Sequence, residues 1–314
     1  MSVPLSLAGR TALVTGGSRG IGAATVRLFR QAGARVAFSY LRAQSEAEAL
    51  AASLQNPETS GTPDCIALQH TLESAEDGES LVAKTISALG DIDILVANHG
   101  IWPPDEIPVA RMTSAQWRRT QATNVESVFG LCHAAAAHML THPAPTPVVT
   151  NAPHPHEQTG SHTPGGPFMR DRQDAHEWGT DTASQPRTAR GHIVTARGHI
   201  VLVASAAGQR GEGLHADYAA SKGAIISFTK SLSSELAPHL IYANCVAPGW
   251  THTQMTSSVF DVPEVASRIN PTIPVGRPAH PYEVAGPILF LCTPLAGFIS
   301  GEILNANGGA VLAG

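Results

Sequence analysis

Short apolar runs alternate with longer amphipathic segments from residue 10 to about residue 140, the pattern of consecutive βαβ units feeding a parallel sheet. TALVT (11–15), ARVAFSY (34–40), CIALQ (65–69) and DILVAN (93–98) predict strands. The stretches between them predict helices over 24–33, about 45–54 and 79–90, the first and last closed by Gly33 and Gly90, the residue type best suited to a left-handed helix end. Val125, Phe129, Cys132, Ala136 and Met139 recur at helical spacing and predict the buried face of a helix over 124–140.

The pattern then breaks. Residues 143 to 190 hold eight prolines, and between Val149 and Ile193 there is no Val, Ile or Leu. Such a segment cannot bury enough apolar surface to offset its ordering entropy, so 143–197 reads as a loosely packed insertion. It leaves a helix and enters a strand, which places it at the strands' N-terminal end, whereas ligands of such sheets bind at the C-terminal end. Alternation resumes with a strand at HIVLVAS (199–205), a helix over 216–236, a strand at IYANCVAP (241–248), a helix near 282–292 and a strand near 302–306. The expected fold is α/β: one doubly wound, Rossmann-type parallel sheet flanked by helices, a single domain over 1–314 with a long loop insertion. The phrase TARGHIV occurs twice, beginning at Thr188 and Thr195. Only the second copy runs on into Leu202-Val203-Ala204, so it is assigned to the sheet and the first is a spare.

Composition narrows the partners. Charged residues make up 14% of the chain and the net charge is -5, with no Lys/Arg run to follow a nucleic acid, so a small-molecule partner is expected. Cys65, Cys132, Cys245 and Cys292 form no CxxC pair and read as free thiols of a reducing compartment. MSVPLSLAGR has no basic stretch followed by a long apolar one, and no apolar run approaches the ~20 residues that span a bilayer; a cytoplasmic protein without membrane contact is expected. The histidines of the insertion, among them His154, His156 and His162, lie between prolines without helical or strand spacing, so no metal site is assigned.

Thr15-Gly-Gly-Ser-Arg-Gly-Ile-Gly22 follows the first strand and opens the first helix. Gly16 permits the tight turn, Gly20 lets backbone approach a pyrophosphate and Gly22 lets helix and strand pack closely, with helix amides facing the anion. The second strand ends Phe38-Ser39-Tyr40-Leu41-Arg42 without the carboxylate that would select an unphosphorylated ribose. Arg19 and Arg42 are suited to clamp a phosphate, favouring NADP(H) over NAD(H). Ser18, Ile21 and Tyr40 complete the dinucleotide-binding candidates of this region.

Tyr218 and Lys222 stand four residues apart, on one helical face. An ammonium beside a phenol stabilises phenolate and so makes tyrosine a usable acid or base. Together these features resemble the short-chain dehydrogenases/reductases, over essentially the whole chain except the insertion. Gly16, Gly20 and Gly22 match that family's cofactor loop, Tyr218 and Lys222 its YxxxK, Ser205 its catalytic serine and Asn124 its relay asparagine. Asn98 and Gly100 stand in its NNAG, and Pro248, Gly249, Thr251 and Thr253 in the loop over the nicotinamide. The resemblance implies hydride transfer at a carbonyl or alcohol carbon, with Asn124, Ser205, Tyr218 and Lys222 catalytic. It also implies a homotetramer or dimer. Ala97, His99, Thr71 and Asn307 depart from the family's wording on the cofactor side. TGGSRGIG, PVGRPAHPYEVA and SGEILNANGG are similar to the 3-oxoacyl thioester reductase-like branch. An NAD-linked alcohol or polyol dehydrogenase and a non-catalytic dinucleotide-binding protein remain alternatives. Residues 206–217, the lid from Trp250 to Ile273 and Trp102 are expected to select the substrate.

Overall fold

The computed structural model describes residues 5–56, 63–143 and 196–312; the body of the insertion and the first TARGHIV lie outside the described residues. Seven strands form one sheet: β1 (Thr11–Val14), β2 (Arg35–Tyr40), β3 (Cys65–Gln69), β4 (Ile94–Ala97), β5 (Gly198–Val203), β6 (Ile241–Pro248) and β7 (Ile303–Ala306). Their order is β3-β2-β1-β4-β5-β6-β7, and every pair is parallel. Chain direction across the sheet reverses between β1 and β4, which opens a crevice beyond their C-terminal ends.

The strands are apolar on both faces because both are covered. In β4, Ile94 and Val96 join one core cluster while Leu95 and Ala97 join the other. The first cluster takes Val26 and Phe29 from α1 (Gly20–Gln31), Leu50 from α2 (Gln44–Ser53) and Ile288 from α10 (Pro281–Leu291). The second takes Leu81 from α3 (Ala75–Leu89), Leu131 and Met139 from α5 (Ser127–Thr141) and Ile225 and Leu232 from α7 (Ala216–Leu236). The predicted strands and long helices are therefore present, with boundaries shifted by a few residues. Four shorter helices lacked enough apolar period to be read: α4 (Ser114–Gln121), α6 (Ala206–Arg210), α8 (Ser257–Phe260) and α9 (Pro263–Ile269).

One predicted face is corrected. Cys132, Ala136 and Met139 of α5 are buried, but Phe129 is 50% exposed and Val125 is only partly covered. A π-helical turn, Ala122–Glu126, joins α4 to α5. Its extra residue rotates Val125 out of register with α5; within α5 the inward face is centred on Val128, Leu131, Cys132, Ala135 and Met139, which leaves Phe129 at its edge. Phe129 instead lies on the surface against Phe228, ring centroids 6.3 Å apart.

The second TARGHIV supplies β5, as expected, with His199 opposite Ile94 and Gly198 opposite Ile241. A Cβ on Gly198 would lie 2.5 Å from Met139 Sδ, so α5 and β5 meet closely at this end. Arg197 Nη1 donates to the Leu140 carbonyl at 3.2 Å, and Arg10 reaches the Ala196 carbonyl at 2.6 Å and Asp93 at 2.9 Å. The chain therefore leaves and re-enters the sheet at adjacent stems. His199 is buried there, and burial with the nearby Arg10 charge pushes its imidazole down to about 3. No helix among the described residues is long and apolar enough to cross a membrane. All four cysteines are free and buried, and burial raises Cys245 to about 11 and Cys65 to about 12, which suppresses thiolate chemistry.

Candidate active site

The glycine turn folds tightly under the end of β4. Gly16 has φ +62° and Gly20 φ +55°, both in the left-handed region. A Cβ on Gly22 would fall 2.1 Å from the Gly16 carbonyl oxygen, and one on Gly20 would meet the Thr253 methyl at 3.1 Å. Arg19 caps α1 in an extended conformation without a side-chain bond, and the first helical turn holds no acidic residue. The unpaired amides of that turn consequently face the crevice with the positive end of the helix dipole.

Asn98 and His99 brace this turn. The Asn98 side-chain amide donates to the Thr15 carbonyl at 3.0 Å and the Gly16 carbonyl at 3.3 Å. Thr15 Oγ1 accepts the Asn98 and His99 amides at 3.0 and 3.2 Å and sits 2.7 Å from His99 Nδ1. His99 Nε2 lies 2.8 Å from Ser127 Oγ and 3.2 Å from the Thr123 carbonyl. Burial, reinforced by the Lys222 charge, pushes this imidazole down to about 3. The residue that departs from the family pattern is thus a neutral strut joining the glycine turn, β4 and the π turn. Asn307 is likewise structural: its amide donates to the Val311 carbonyl at 2.9 Å and its oxygen accepts the Gly309 amide at 3.0 Å. Thr71 lines the cleft.

The four catalytic candidates come together beside Gly100. Asn124 sits in the π turn, 1% exposed, with its oxygen accepting the Ile101 amide at 2.8 Å. Its amide donates to the Ile101 carbonyl at 2.9 Å and to Ser221 Oγ at 3.0 Å. Ser205 follows β5 and caps α6, accepting the Ala207 amide at 3.1 Å. Its hydroxyl stands near the Tyr218 phenol and pulls that group down against the effect of burial. Lys222 Nζ lies 5.9 Å from the Tyr218 ring centroid and donates to the Val203 carbonyl at 2.8 Å. Burial lowers Lys222 to about 8, and burial raises Tyr218 to about 12 against the opposing pull of Ser205. The expected depression of the phenol by Lys222 is not what these residues alone produce. Desolvation dominates at Tyr218, and the ammonium is engaged by Val203.

The remaining candidates border one cleft of about 640 Å³, which runs from Arg42 and Tyr40 past Ser18, Arg19 and Ile21 to Ser205 and Tyr218. Pro248 ends β6, and Gly249 packs so closely that a Cβ would lie 2.8 Å from Asn307 Cα. Thr251 Oγ1 donates to the Gly249 carbonyl at 3.2 Å, and Thr256 Oγ1 to the Thr251 carbonyl at 2.6 Å, holding this loop over the glycine turn. The far wall was only partly legible. Trp102 packs on His215 with centroids 4.8 Å apart and meets Trp250 edge-on at 6.3 Å, and Glu212 lines the same cleft. Asp217, buried next to Tyr218, was missed: it accepts from Thr120 Oγ1 at 2.7 Å and Gln116 Nε2 at 3.2 Å, tying α4 to α7.

The family model described as short chain dehydrogenase matches residues 10–150, and one described as enoyl-(acyl carrier protein) reductase matches 183–311. An acetoacetyl-CoA reductase of Rhizobium meliloti is 32% identical over 97% of this chain and 99% of its own length. The chain belongs to the short chain dehydrogenase family. A 3-oxoacyl-[acyl-carrier-protein] reductase of Vibrio cholerae is 30% identical over 97% of this chain and 98% of its own. Among solved structures, a short-chain dehydrogenase/reductase from Brucella melitensis superimposes with a TM-score of 0.74 at 30% identity, covering 99% of this chain and all of the other. A short chain dehydrogenase from Burkholderia cenocepacia in complex with NADP gives 0.72 at 26% identity, covering 97% and 98%. As a family member the chain is an oxidoreductase acting on carbonyl or alcohol groups with a nicotinamide dinucleotide. The residues present fit that group: an open helix N-terminus, a turn in which Cβ atoms would clash, and a cleft of sufficient length.

Proposed function

We propose that this protein is a cytoplasmic, homo-oligomeric, NADPH-dependent reductase of small carbonyl substrates, with 3-oxoacyl thioesters as the preferred class. The reading is supported above all by the convergence of Ser205 and Tyr218, backed by Lys222 and Asn124, at the end of the cleft opposite Arg42. When bound, the dinucleotide supplies hydride from its nicotinamide C4. Tyr218, protonated at neutral pH, gives its Oη proton to the carbonyl oxygen as hydride arrives. Ser205 donates its one hydroxyl proton to that oxygen, stabilising the charge that develops there. Lys222 orients the nicotinamide ribose and holds positive charge beside the phenol. Asn124 fixes the Ile101 backbone and Ser221 behind the site and links it to solvent through water. Asn98, Gly100, Pro248, Gly249, Thr251 and Thr253 shape the nicotinamide end, and Ser18, Arg19, Ile21, Tyr40 and Arg42 the phosphate end.

The test is a panel of 3-oxoacyl thioesters, simple ketones and sugar alcohols, assayed with both dinucleotides. NADPH oxidation by 3-oxoacyl thioesters is expected. Oxidation of polyols by NAD+ with no thioester reduction would overturn the reading, as would inactivity across the panel.

Three further outcomes are expected. Arg42 lies at the cleft beyond a strand end without a carboxylate, and hydrogen bonds to charged groups contribute about 1.5–3 kcal/mol. Arg42→Asp is therefore expected to cut the preference for NADPH over NADH by roughly 10–100-fold, read as the ratio of kcat/KM values. Lys222 loses its proton near pH 8. Since kcat/KM reports the free enzyme, kcat/KM for NADPH should fall as pH rises through about 8, and Lys222→Met should be low and flat over the same range. Finally, replacing residues 145–194 by a short Gly-Ser linker should leave melting temperature and turnover little changed, because the stems are already joined through Arg197 and Leu140.

The oligomer is supported by Phe129 and Phe228, which put an apolar patch on the outer side of α5 and α7. Free, buried cysteines are consistent with a reducing compartment.

A further inference from the structure

At the end of the sheet opposite the cleft, three side chains converge. Asp91 lies in the loop between α3 and β4, His138 in the last turn of α5, and His142 at the C-terminal boundary of that helix. His138 Nε2 and His142 Nε2 each approach Asp91 Oδ1 at 2.8 Å and stand 3.2 Å from one another. Their rings meet edge to face, at 83°. The side chains are 25%, 19% and 41% exposed for His138, His142 and Asp91, so the group is partly covered with one open side.

Hydrogen bonding alone satisfies this arrangement poorly. Asp91 Oδ1 already accepts the Ile92 amide at 2.7 Å. Two further imidazole N–H groups then crowd onto the same oxygen, with their protons directed into one shared space. A cation in that space replaces the crowded protons and takes a lone pair from each ligand. The donor separations suit one: an ion about 2.1 Å from each atom would subtend angles of roughly 85–100°, the facial arrangement of two histidines and a carboxylate with positions left open for water. Two histidines four residues apart meet on one side of a helix end, and a cation there is also favoured by the helix dipole. Asp91 is 47 residues from His138 in sequence, which is why the chain alone offered no metal site.

We propose that Asp91, His138 and His142 form a binding site for a divalent first-row transition ion, zinc or a chemically similar metal, that clamps the end of α5 to the α3–β4 loop at the stem of the insertion. The site is independent of the cleft and takes no part in the reduction. It acts as a staple where the chain leaves the sheet.

The test uses the full chain without an affinity tag, stripped with a chelator and titrated with Co2+ and then Zn2+. One tight equivalent of Co2+ with visible d–d absorption is expected, displaced by Zn2+ and accompanied by a rise in melting temperature. His138→Gln with His142→Gln should abolish that equivalent, its absorption and the thermal gain, while NADPH-dependent turnover stays unchanged. Asp91→Asn, which keeps both imidazoles, should weaken binding at least tenfold; it serves if the double variant does not fold. Replacing His154, His156 and His162 with Ala should leave the equivalent in place. Binding that is unaltered in the Asp91 and His138/His142 variants, or lost with the His154/His156/His162 replacement alone, overturns the proposal.

Discussion

Tyr218→Phe is expected to lower turnover by about 10²–10⁴-fold, the range associated with a positioned general acid, while NADPH affinity changes little. The change removes one oxygen and leaves the ring that packs in the cleft. Ser205 loses its phenol partner but keeps its bond to the Ala207 amide, so the end of β5 should hold its shape. Lys222 keeps its bond to the Val203 carbonyl, so the residue proposed to hold the ribose is undisturbed. Stopped-flow turnover and dinucleotide fluorescence separate the two effects. Retained turnover in this variant would remove Tyr218 from the mechanism. Loss of dinucleotide binding would mean that the phenol is part of the cofactor cradle.

Gly22→Ala is expected to abolish dinucleotide binding and to destabilise the fold. The new Cβ would lie 2.1 Å from the Gly16 carbonyl oxygen and 2.7 Å from Asn98 Nδ2, and the first of these is backbone that cannot swing aside. Relief requires α1 to move off the turn that presents its amides. It would also strain the Asn98 bonds to the Thr15 and Gly16 carbonyls. Overpacking of this kind costs about 1–3 kcal/mol, roughly 1.5–5 °C in melting temperature for a chain of this size. Gly90→Ala is the control. Gly90 also has a positive φ, +84°, but a Cβ there meets nothing within 4 Å. Its penalty should be confined to backbone strain, with dinucleotide affinity preserved. Thermal melts and a binding isotherm on both variants check the pair.

The sheet was legible because parallel strands covered on both faces must be apolar at every position, and Leu13, Val96 and Val201 lie in runs that satisfy this. The residues of the proposed catalytic group were legible because their chemistry depends on local spacing: Tyr218 and Lys222 share a helix, and Ser205 follows a strand by two residues. What escaped depends on geometry that periodicity does not encode. The π turn at Ala122–Glu126 shifts the register of Val125 against α5, and Phe129 lies at the edge of a face centred on Leu131 and Ala135. His99 looked like a departure from a cofactor motif, yet its partners Thr15, Thr123 and Ser127 come from three separate elements. Asp217 gave no signal because Thr120 and Gln116 are about a hundred residues away in the chain.

The neutral strut at His99 has a kinetic consequence. A histidine beneath a reaction centre ordinarily prints its own titration on the rate between pH 5 and 8. Here burial holds the ring neutral down to about 3, so it stays chemically silent over that range, and the alkaline limb is the one expected from Lys222. An ionisable side chain has been made to behave as an uncharged spacer. The acidic flank of the rate profile is left to the carboxyl of Glu212 in the cleft wall, which burial raises, and to whatever the substrate itself titrates.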